Sequence, residues 1–268
     1  MAFIGDVFGL NSIYDRQVEN VDNNNFESWP ESATYGYFGG GFAPPRHSTI
    51  DRIDFSNETL SLPGNNLPIE RSAPIGVSNI SYGYFAGGFG PSYVSTIDRL
   101  DFSNETLSAP GNDLPQARRR LSAVSNSSYG YFGGGESPGP NVSTIDRLDF
   151  SNETLSAPGN NLPQARSGLA AVSNNSYGYF GGGYNPPIRV CTIERLDFSN
   201  ETLSAPGNNL PQARNALAAT SNSSYGYFGG GGFPVISTID RLDFSNETTS
   251  APGNNLPQAR TGLAAVSN

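Results

Sequence analysis

Short apolar runs alternate with polar turn residues along most of the chain. In one stretch, residues 169–172 (Leu-Ala-Ala-Val) precede four Ser and Asn residues and the aromatic residues 177–180. Two more short segments follow, 192–198 and 202–205, and each ends in polar residues or Pro-Gly. Runs of this length between turn residues predict four short β-strands. Every copy contains several prolines and glycines, which argues against helices.

The pattern repeats at a fixed interval. The string Tyr-Gly-Tyr-Phe begins at Tyr35, Tyr82, Tyr129, Tyr177 and Tyr225, with spacings of 47, 47, 48 and 48 residues. Repeats of this length are typical of propellers and solenoids. Small residues dominate the first strand and aromatic residues the second, which favours blades that converge on an axis. We therefore predict an all-β, five-bladed β-propeller with four strands per blade over residues 35–268.

The two ends of the repeated region complement each other. The first copy starts with its aromatic strand at Tyr35, without a small-residue strand before it. The last copy ends with such a strand at 262–266, and no aromatic strand follows it. Both strands would lack a partner in an open array. We therefore expect the C-terminal strand to complete the first blade and close the ring.

The order of features within each copy resembles the kelch repeat. Each copy has an aromatic strand ending in a glycine pair, an Asp-containing strand, a Pro-containing link and an arginine before a small-residue strand. Kelch blades usually carry a tryptophan on the outer strand, so the resemblance implies a slimmer rim here, where the copies have Leu60, Leu107, Leu155, Leu203 and Thr249. The sequence motifs Y-G-Y-F-G-G-G and S-T-I-D-R-L-D-F-S-N-E-T also resemble repeats in tail- or fibre-type virion proteins of marine tailed bacteriophages, cyanophages especially.

Composition narrows the classes of function. The chain has 24 acidic and 15 basic residues, all of the latter arginine, and a net charge of −9. An acidic chain repels phosphate backbones and anionic lipids, which argues against nucleic-acid and membrane-surface binding. No apolar stretch approaches the ~20 residues of a membrane-spanning helix. The apolar beginning of the chain lacks a basic region, so we predict no secretory signal.

Residues suited to catalysis are scarce. His47 and Cys191 are the only histidine and cysteine, each occurs in one copy, and Cys191 stands where the other copies have serine. These counts argue against a metal site built from His and Cys, and one cysteine excludes an internal disulfide. We therefore predict that the protein is not an enzyme and has no cofactor or metal. The five Asn-Glu-Thr strings are interpreted as turn residues.

Two sets of charged residues recur in every copy. Acidic residues that alternate with arginine on the third strand, such as Asp98 and Asp101 around Arg99, predict an ion-pair network between blades. One arginine in each copy also precedes the small-residue strand. These link arginines either form a ring that binds an anion, a carboxylated sugar or an acidic partner, or hold the loops of adjacent blades. They are Arg71, Arg118, Arg166, Arg214 and Arg260.

The loop between the second and third strands is where the copies differ most. Antiparallel connectivity places these loops at the same end of the blades as the link arginines. Aromatic residues beside prolines make good contact residues, so the loop differences are consistent with binding. The alternative is that the sequences of these surface loops vary without functional consequence. The candidate binding residues in these loops are Phe42, Arg46, His47, Phe89, Tyr93, Tyr184, Arg189 and Phe233.

Residues 1–34 lie outside the repeat and are too few to fold alone. They either pack along the propeller or form an arm that docks onto another subunit, and exposed apolar residues at a terminus favour the arm. The candidate assembly residues are Phe3, Ile4, Phe8, Leu10, Tyr14 and Trp29.

These observations lead to two hypotheses of function. The first is a non-catalytic virion protein of a tailed phage, present in multiple copies. Its arm would contact other virion proteins, and its propeller would present the loops to a host-surface glycan or protein. The second is a kelch-type protein-interaction or glycan-binding module, soluble in the cytoplasm or outside the cell.

Overall fold

Every regular element that the structure describes is a β-strand. The computed structural model describes residues 35–265, and the strands form five small antiparallel sheets and one separate two-stranded hairpin. The sheets are the blades of a β-propeller, so the predicted fold class is confirmed. Residues 1–34 and 266–268 lie outside the described residues, and with them lies the whole predicted arm.

The chain divides into two compact units. Among the described residues, the smaller contains 35–38 and 51–61, and it holds most of the first sheet: β1 (Tyr35–Gly39), β2 (Ile50–Asp54) and β3 (Thr59–Ser61). Within this unit Arg52 Nε donates to Ser61 Oγ at 3.0 Å. The larger unit contains the described residues 39–50 and 62–265 and holds the other four blade sheets and the hairpin.

The four sheets of the larger unit share one plan. Each consists of four antiparallel strands paired in chain order. In the stretch used above to locate strands, the observed and predicted bounds agree to within one residue at each end. The strands are β4 (Ile75–Ser78), β5 (Tyr82–Ala86), β6 (Ile97–Asp101) and β7 (Leu107–Ser108); β8 (Ser122–Ser125), β9 (Tyr129–Gly133), β10 (Ile145–Asp149) and β11 (Leu155–Ser156); β12 (Ala170–Ser173), β13 (Tyr177–Gly181), β16 (Ile193–Asp197) and β17 (Leu203–Ser204); and β18 (Ala218–Ser221), β19 (Tyr225–Gly229), β20 (Ile239–Asp243) and β21 (Thr249–Ser250).

Aromatic and charged side chains join successive blades of the larger unit. Tyr131 is fully buried, and its ring stacks on Phe198 of the following blade with 5.3 Å between centroids. The Tyr131 hydroxyl donates to Glu201 at 3.1 Å, and Arg147 donates to the same carboxylate at 2.6 Å. The same contacts join the second blade to the third and the fourth to the fifth. The third-strand arginines therefore form the predicted interblade ion pairs.

The last acidic residue of each third strand has a local role. Asp101 accepts hydrogen bonds from the backbone N–H and the hydroxyl of Ser103, at 2.8 and 2.6 Å. These bonds hold the turn between the third and fourth strands and lower the pKa of Asp101. The prediction of an interblade pair is wrong for this position, because a carboxylate at the end of a strand is satisfied more readily by the turn that follows it.

Small residues are needed where the inner strands approach one another. Ser173 Oγ donates to the carbonyl of Ser125 in the preceding blade at 3.4 Å, and Ser221 Oγ donates to that of Ser173 at 3.1 Å. A backbone ladder runs beside them, in which Gly168 N–H donates to the Arg120 carbonyl at 2.8 Å. Such close approach explains the Ala, Ser and Gly composition of the first strand.

Closure of the ring stays a prediction. The first sheet has three strands among the described residues, and residues 262–265 carry no strand assignment. Val266, the last residue of the predicted closing strand, lies outside the described residues. The structure also contains a hairpin that the sequence did not predict, formed by β14 (Tyr184–Asn185) and β15 (Ile188–Arg189) in the loop of the fourth blade.

Candidate functional site

The interblade links and the variable loops meet at one end of the blades. The residue after a link arginine pairs with the next blade's variable loop: Ser72 with Phe89, and Arg119 with Glu136. We call this the loop end. The opposite end carries the turn between the first and second strands and the turn between the third and fourth, and we call it the turn end.

Each buried link arginine ties one blade to the next, as Arg118 shows. Its N–H donates to the Val94 carbonyl at 3.1 Å, and its own carbonyl accepts from Gly88 N–H at 2.9 Å, both in the second blade. Its guanidinium reaches into the third blade, where it donates to Thr144 Oγ1 at 2.6 Å and pairs with Asp146. Burial lowers the pKa of Arg118, and the nearby carboxylate offsets only part of that effect.

Four of the five link arginines are unavailable to a ligand. They have no exposed surface, and each pairs with a carboxylate on the third strand of the blade that follows the link. The geometry therefore favours the structural alternative and removes Arg71, Arg118, Arg166 and Arg214 from the candidate binding residues. Arg260 keeps the same backbone bonds, to Ile236 and Gly231, but is exposed. The pairs are Arg71–Asp98, Arg118–Asp146, Arg166–Glu194 and Arg214–Asp240.

The second loop residue Phe89 is held between two guanidinium groups. Arg46 of the first loop lies 4.6 Å from the centre of its ring, and Arg119 of the following link lies 4.7 Å from it. Tyr93 meets the same ring edge-on at 5.1 Å. Phe89 is half-buried in this stack, so its main role is to join neighbouring loops.

Glu136 extends this cluster into the third loop. Its carboxylate accepts from Arg119 and from the Tyr93 hydroxyl, both at 2.8 Å, and from Arg120 at 3.4 Å. Burial alone would raise the pKa of Glu136, but these hydrogen bonds outweigh burial and lower it. The hydrogen bond to Glu136 raises the pKa of Tyr93. The first three loops are thus joined by side chains.

A second cluster joins the fourth and fifth loops. Arg189 lies 5.8 Å from the centre of the Tyr184 ring and 5.6 Å from that of Phe233. Arg189 Nε also donates to Asn215 Oδ1 at 3.0 Å. Asn141 of the third loop donates to the Tyr184 carbonyl at 2.6 Å, which connects this cluster with the one around Glu136.

Three apolar loop residues remain largely open. Phe42 is 65% exposed, Phe233 79% and Ile188 56%. His47 is exposed as well. The peptide bonds Pro44–Pro45, Pro186–Pro187 and Phe233–Pro234 are cis. The exposed residues Phe42, His47, Ile188 and Phe233 form a surface suited to contact with a large partner.

Three residues of the loop end were missed by the sequence analysis. Arg119 and Arg120 follow a link arginine only at the end of the second copy, and Glu136 of the third copy stands where other copies have Phe42 or Phe89. The signal was the joint departure from the repeat at two positions 17 residues apart. An added base and an added acid at this spacing indicate a pair, although each by itself looked like neutral variation.

The inner turns of the turn end are polar. An open cavity of about 990 Å³ is lined there by serine and asparagine residues of the inner turns. Asn126 Oδ1 accepts from the N–H groups of Ser128 and Tyr129, each at 2.8 Å, so the asparagine oxygens are used by the turns themselves. The lining residues are Ser125, Asn126, Ser127, Ser173, Asn174, Asn175, Ser176, Ser221, Asn222 and Ser223.

No grouping of three or more potential metal-ligating His, Cys, Asp or Glu side chains occurs within residues 35–265. Cys191 is half-buried and unbridged. Across the same residues, no helix has the length and hydropathy needed to cross a membrane. A scan against protein-family models and a search of curated proteins both return no match to this chain.

Proposed function

We propose that this protein is a non-catalytic structural protein whose β-propeller presents its loop end to a binding partner. The observation that carries the proposal is the distribution of differences among the copies. The contacts between blades repeat with little change, whereas the side chains of the loop end differ from copy to copy.

The loop end is organised before any partner binds. Phe89 between two arginines, Glu136 with its three donors, and Arg189 between two aromatic rings join adjacent loops. Loops that are already ordered lose less conformational entropy on binding. This organisation favours the explanation that the loops differ because they bind a partner, and not because surface loops vary without consequence.

We further propose that the protein belongs to the virion of a tailed phage, at the tail, baseplate or a fibre. The support is the resemblance of the repeat wording to phage virion repeats, together with the apolar residues of 1–34. These residues would attach the protein to other virion proteins in multiple copies, and the loop end would face the host surface.

Immunogold electron microscopy of purified virions tests this assignment. An antibody against the propeller should label a discrete part of the particle, and pre-incubation with free propeller should abolish the labelling. If intact particles stay unlabelled while the protein is recovered free, the virion assignment fails.

The second candidate is a soluble kelch-type interaction or glycan-binding module. The exposed rings of Phe42 and Phe233 favour it, because aromatic rings at a surface are typical of recognition sites. Recovery of the protein only in the soluble fraction, with binding activity intact, would support this candidate over the first.

A further inference from the structure

We propose that the loop end binds a carboxylate-bearing glycan through two pairs of side chains, Phe42 with Arg46 and Phe233 with Arg189. The inference rests on the proposed function in one respect, that the loop end is the binding surface. It adds the chemical class of the ligand and the residues that recognise it.

Charge is distributed unequally between the two ends of the blades. Among the described residues, five of the ten arginines that are not buried lie at the loop end, and the exposed or half-buried carboxylates of its links and loops are Glu70, Asp113 and Glu136. Glu136 is already engaged by Arg119. At the turn end, every copy contributes an aspartate and a glutamate to its D-F-S-N-E-T turn, and the arginine partners there pair with the glutamates. The other five partly exposed arginines, Arg52, Arg99, Arg147, Arg195 and Arg241, lie on the third strands, and the loop-end cations are Arg46, Arg119, Arg120, Arg189 and Arg260.

Two of these arginines lack a carboxylate partner and lie beside an exposed ring. Arg46 lies 5.7 Å from the centre of the Phe42 ring, and Arg189 lies 5.6 Å from that of Phe233. Among the described residues, neither arginine has a carboxylate within ion-pair distance, and Arg46 Nε is buried without a hydrogen-bond partner. The enclosed Nε cannot reach a ligand, so a carboxylate would bind to the outer N–H groups of this half-buried guanidinium.

The two pairs combine an apolar face with a planar cation. A uronic acid has the complementary combination, because its sugar ring has an apolar C–H face and carries a carboxylate. The ring would pack on the open side of a phenyl group, and the guanidinium would donate to the carboxylate. Because one pair lies on the first loop and the other joins the fourth and fifth loops, a polymer with repeated carboxylates fits better than a single sugar.

An acidic peptide is the competing ligand, and the surface favours it less. Peptides bound in an extended form add to an exposed strand edge or enter a groove. The loop end instead presents open rings, with Phe233 79% exposed. Exposed rings offer a platform to a sugar face without demanding backbone hydrogen bonds.

Affinity electrophoresis in native gels containing polygalacturonate tests the inference, with dextran and polyglutamate gels beside it. The variants are Arg46→Gln/Arg189→Gln and Phe42→Ala/Phe233→Ala. The matched control is Ser127→Asp/Ser223→Asp, which lowers the net charge by the same amount as the arginine variant but at exposed positions of the turn end. Circular dichroism checks that each variant is folded.

Wild-type protein and the turn-end control should be retarded by polygalacturonate and not by dextran. The arginine variant should bind about tenfold more weakly or worse, because each lost charged hydrogen bond is worth about a factor of ten. The phenylalanine variant should also bind more weakly, which a purely electrostatic attraction would not produce. Added salt should reduce the retardation of the wild type.

Other results would overturn the inference. Retardation by polyglutamate alone would replace the ligand class while leaving the loop end as the binding surface. Equal retardation of the arginine variant and the turn-end control would remove the loop end from binding, and with it the presentation role proposed above. Absence of retardation in every gel would reject a carboxylate-bearing glycan, whereas immunogold labelling would still decide the virion assignment.

Discussion

Arginine has two different environments in this protein, the contacts between blades and the loop end. Between blades, Arg118 has no exposed surface, and it occupies a position filled by arginine in every copy. At the loop end, Arg46 and Arg189 stack on aromatic rings, and most copies lack an arginine at the matching position. The first environment holds neighbouring blades in position, whereas the second leaves N–H donors of the guanidinium available to a ligand.

The difference shows how a near-perfect repeat can carry a specific surface. Blades that are held by the same buried pairs tolerate different loops, because each loop leaves from the same strand ends. A substitution at a contact between blades should therefore lower the stability of the fold, and a substitution at the loop end should change the binding of a partner. The predictions below test this separation.

Removing a buried link arginine should have the largest effect. Arg118→Met leaves Asp146 buried without its cation, which should lower the free energy of unfolding by about 3–5 kcal/mol. Arg118→Met/Asp146→Leu removes both charges and should recover much of that loss. Urea denaturation followed by circular dichroism measures all three proteins.

Arg120→Met is the matched control, because Arg120 lies two residues away and its side chain is 55% exposed. We expect a change within about 0.5 kcal/mol for this control. A similar loss in both single variants would contradict the distinction between the two environments.

Adding a methyl group where two blades meet should have the next largest effect. A Cβ at Gly134 would lie 2.7 Å from the backbone oxygen of Arg166, and Gly134 has a φ of +66°. Because a backbone oxygen cannot move aside cheaply, Gly134→Ala should destabilise the protein by about 1–3 kcal/mol beyond its backbone strain.

The control for this variant is Gly159→Ala. Gly159 also has a positive φ, of +90°, but a Cβ there would meet no atom within 4 Å. Thermal unfolding of the two variants separates the interblade clash from the conformational penalty. Equal melting temperatures would show that Gly134 is needed only for its backbone conformation.

Repetition explains why so much of the fold could be predicted from the sequence. The apolar run before Tyr177 and the segment after Thr192 recur five times, so their strand assignments support one another. The position of the link arginines at one end followed from antiparallel connectivity. Their burial could not be predicted, because that of Arg118, for example, depends on Thr144 and Asp146, which lie more than 20 residues further along the chain, just before and on the third strand of the blade.

The loop end was less predictable, because its contacts occur once each. Phe89 was expected to meet a partner, but Arg46 and Arg119 cover its two sides. Arg120 adopts a left-handed conformation with φ +53°, which the ladder of inner links requires and which no pattern in the sequence indicates for an arginine. Contacts that are not repeated offer no second copy against which to test them.

Loss of one interblade hydroxyl should have a moderate effect that depends on pH. Tyr131→Phe removes the hydrogen bond to Glu201, which keeps its bond from Arg147, so the expected loss is about 1 kcal/mol. Burial and the nearby carboxylate raise the pKa of Tyr131 well above its usual value of 10.0. A raised pKa in the folded protein means that this stabilisation is complete below pH 10 and is lost as the pH rises towards the folded value.

Denaturation midpoints from pH 8 to 11 measure this effect. The wild-type advantage over Tyr131→Phe should be constant up to about pH 10 and then shrink. Tyr129→Phe is the control, since Tyr129 lies at the edge of the same aromatic cluster, 6.2 Å from the Tyr131 ring. A wild-type advantage that grows with pH would contradict a raised pKa of Tyr131 in the folded protein.

Neutralising Glu136 should have the smallest effect on stability and the clearest effect on the loops. Glu136→Gln weakens the bonds from Arg119 and Tyr93, and because the side chain is 24% exposed we expect a loss of no more than about 1 kcal/mol. The lowered pKa of Glu136 means that its contribution is present above pH 4.5 and is lost as the pH falls through the folded value. The stability difference between wild type and variant should therefore vanish in acid.

Hydrogen exchange locates this effect within the molecule. The N–H groups of Arg119 and Glu136, which bond to each other's carbonyls at 3.0 and 2.8 Å, should exchange faster in Glu136→Gln, while those of β9 and β10 stay protected. Protection that falls equally in the loop and in the strands would mean that the side-chain bonds of the loop end support the blade itself. The two environments of arginine would then be one cooperative unit, because a loop substitution could not change recognition without also weakening the contacts between blades.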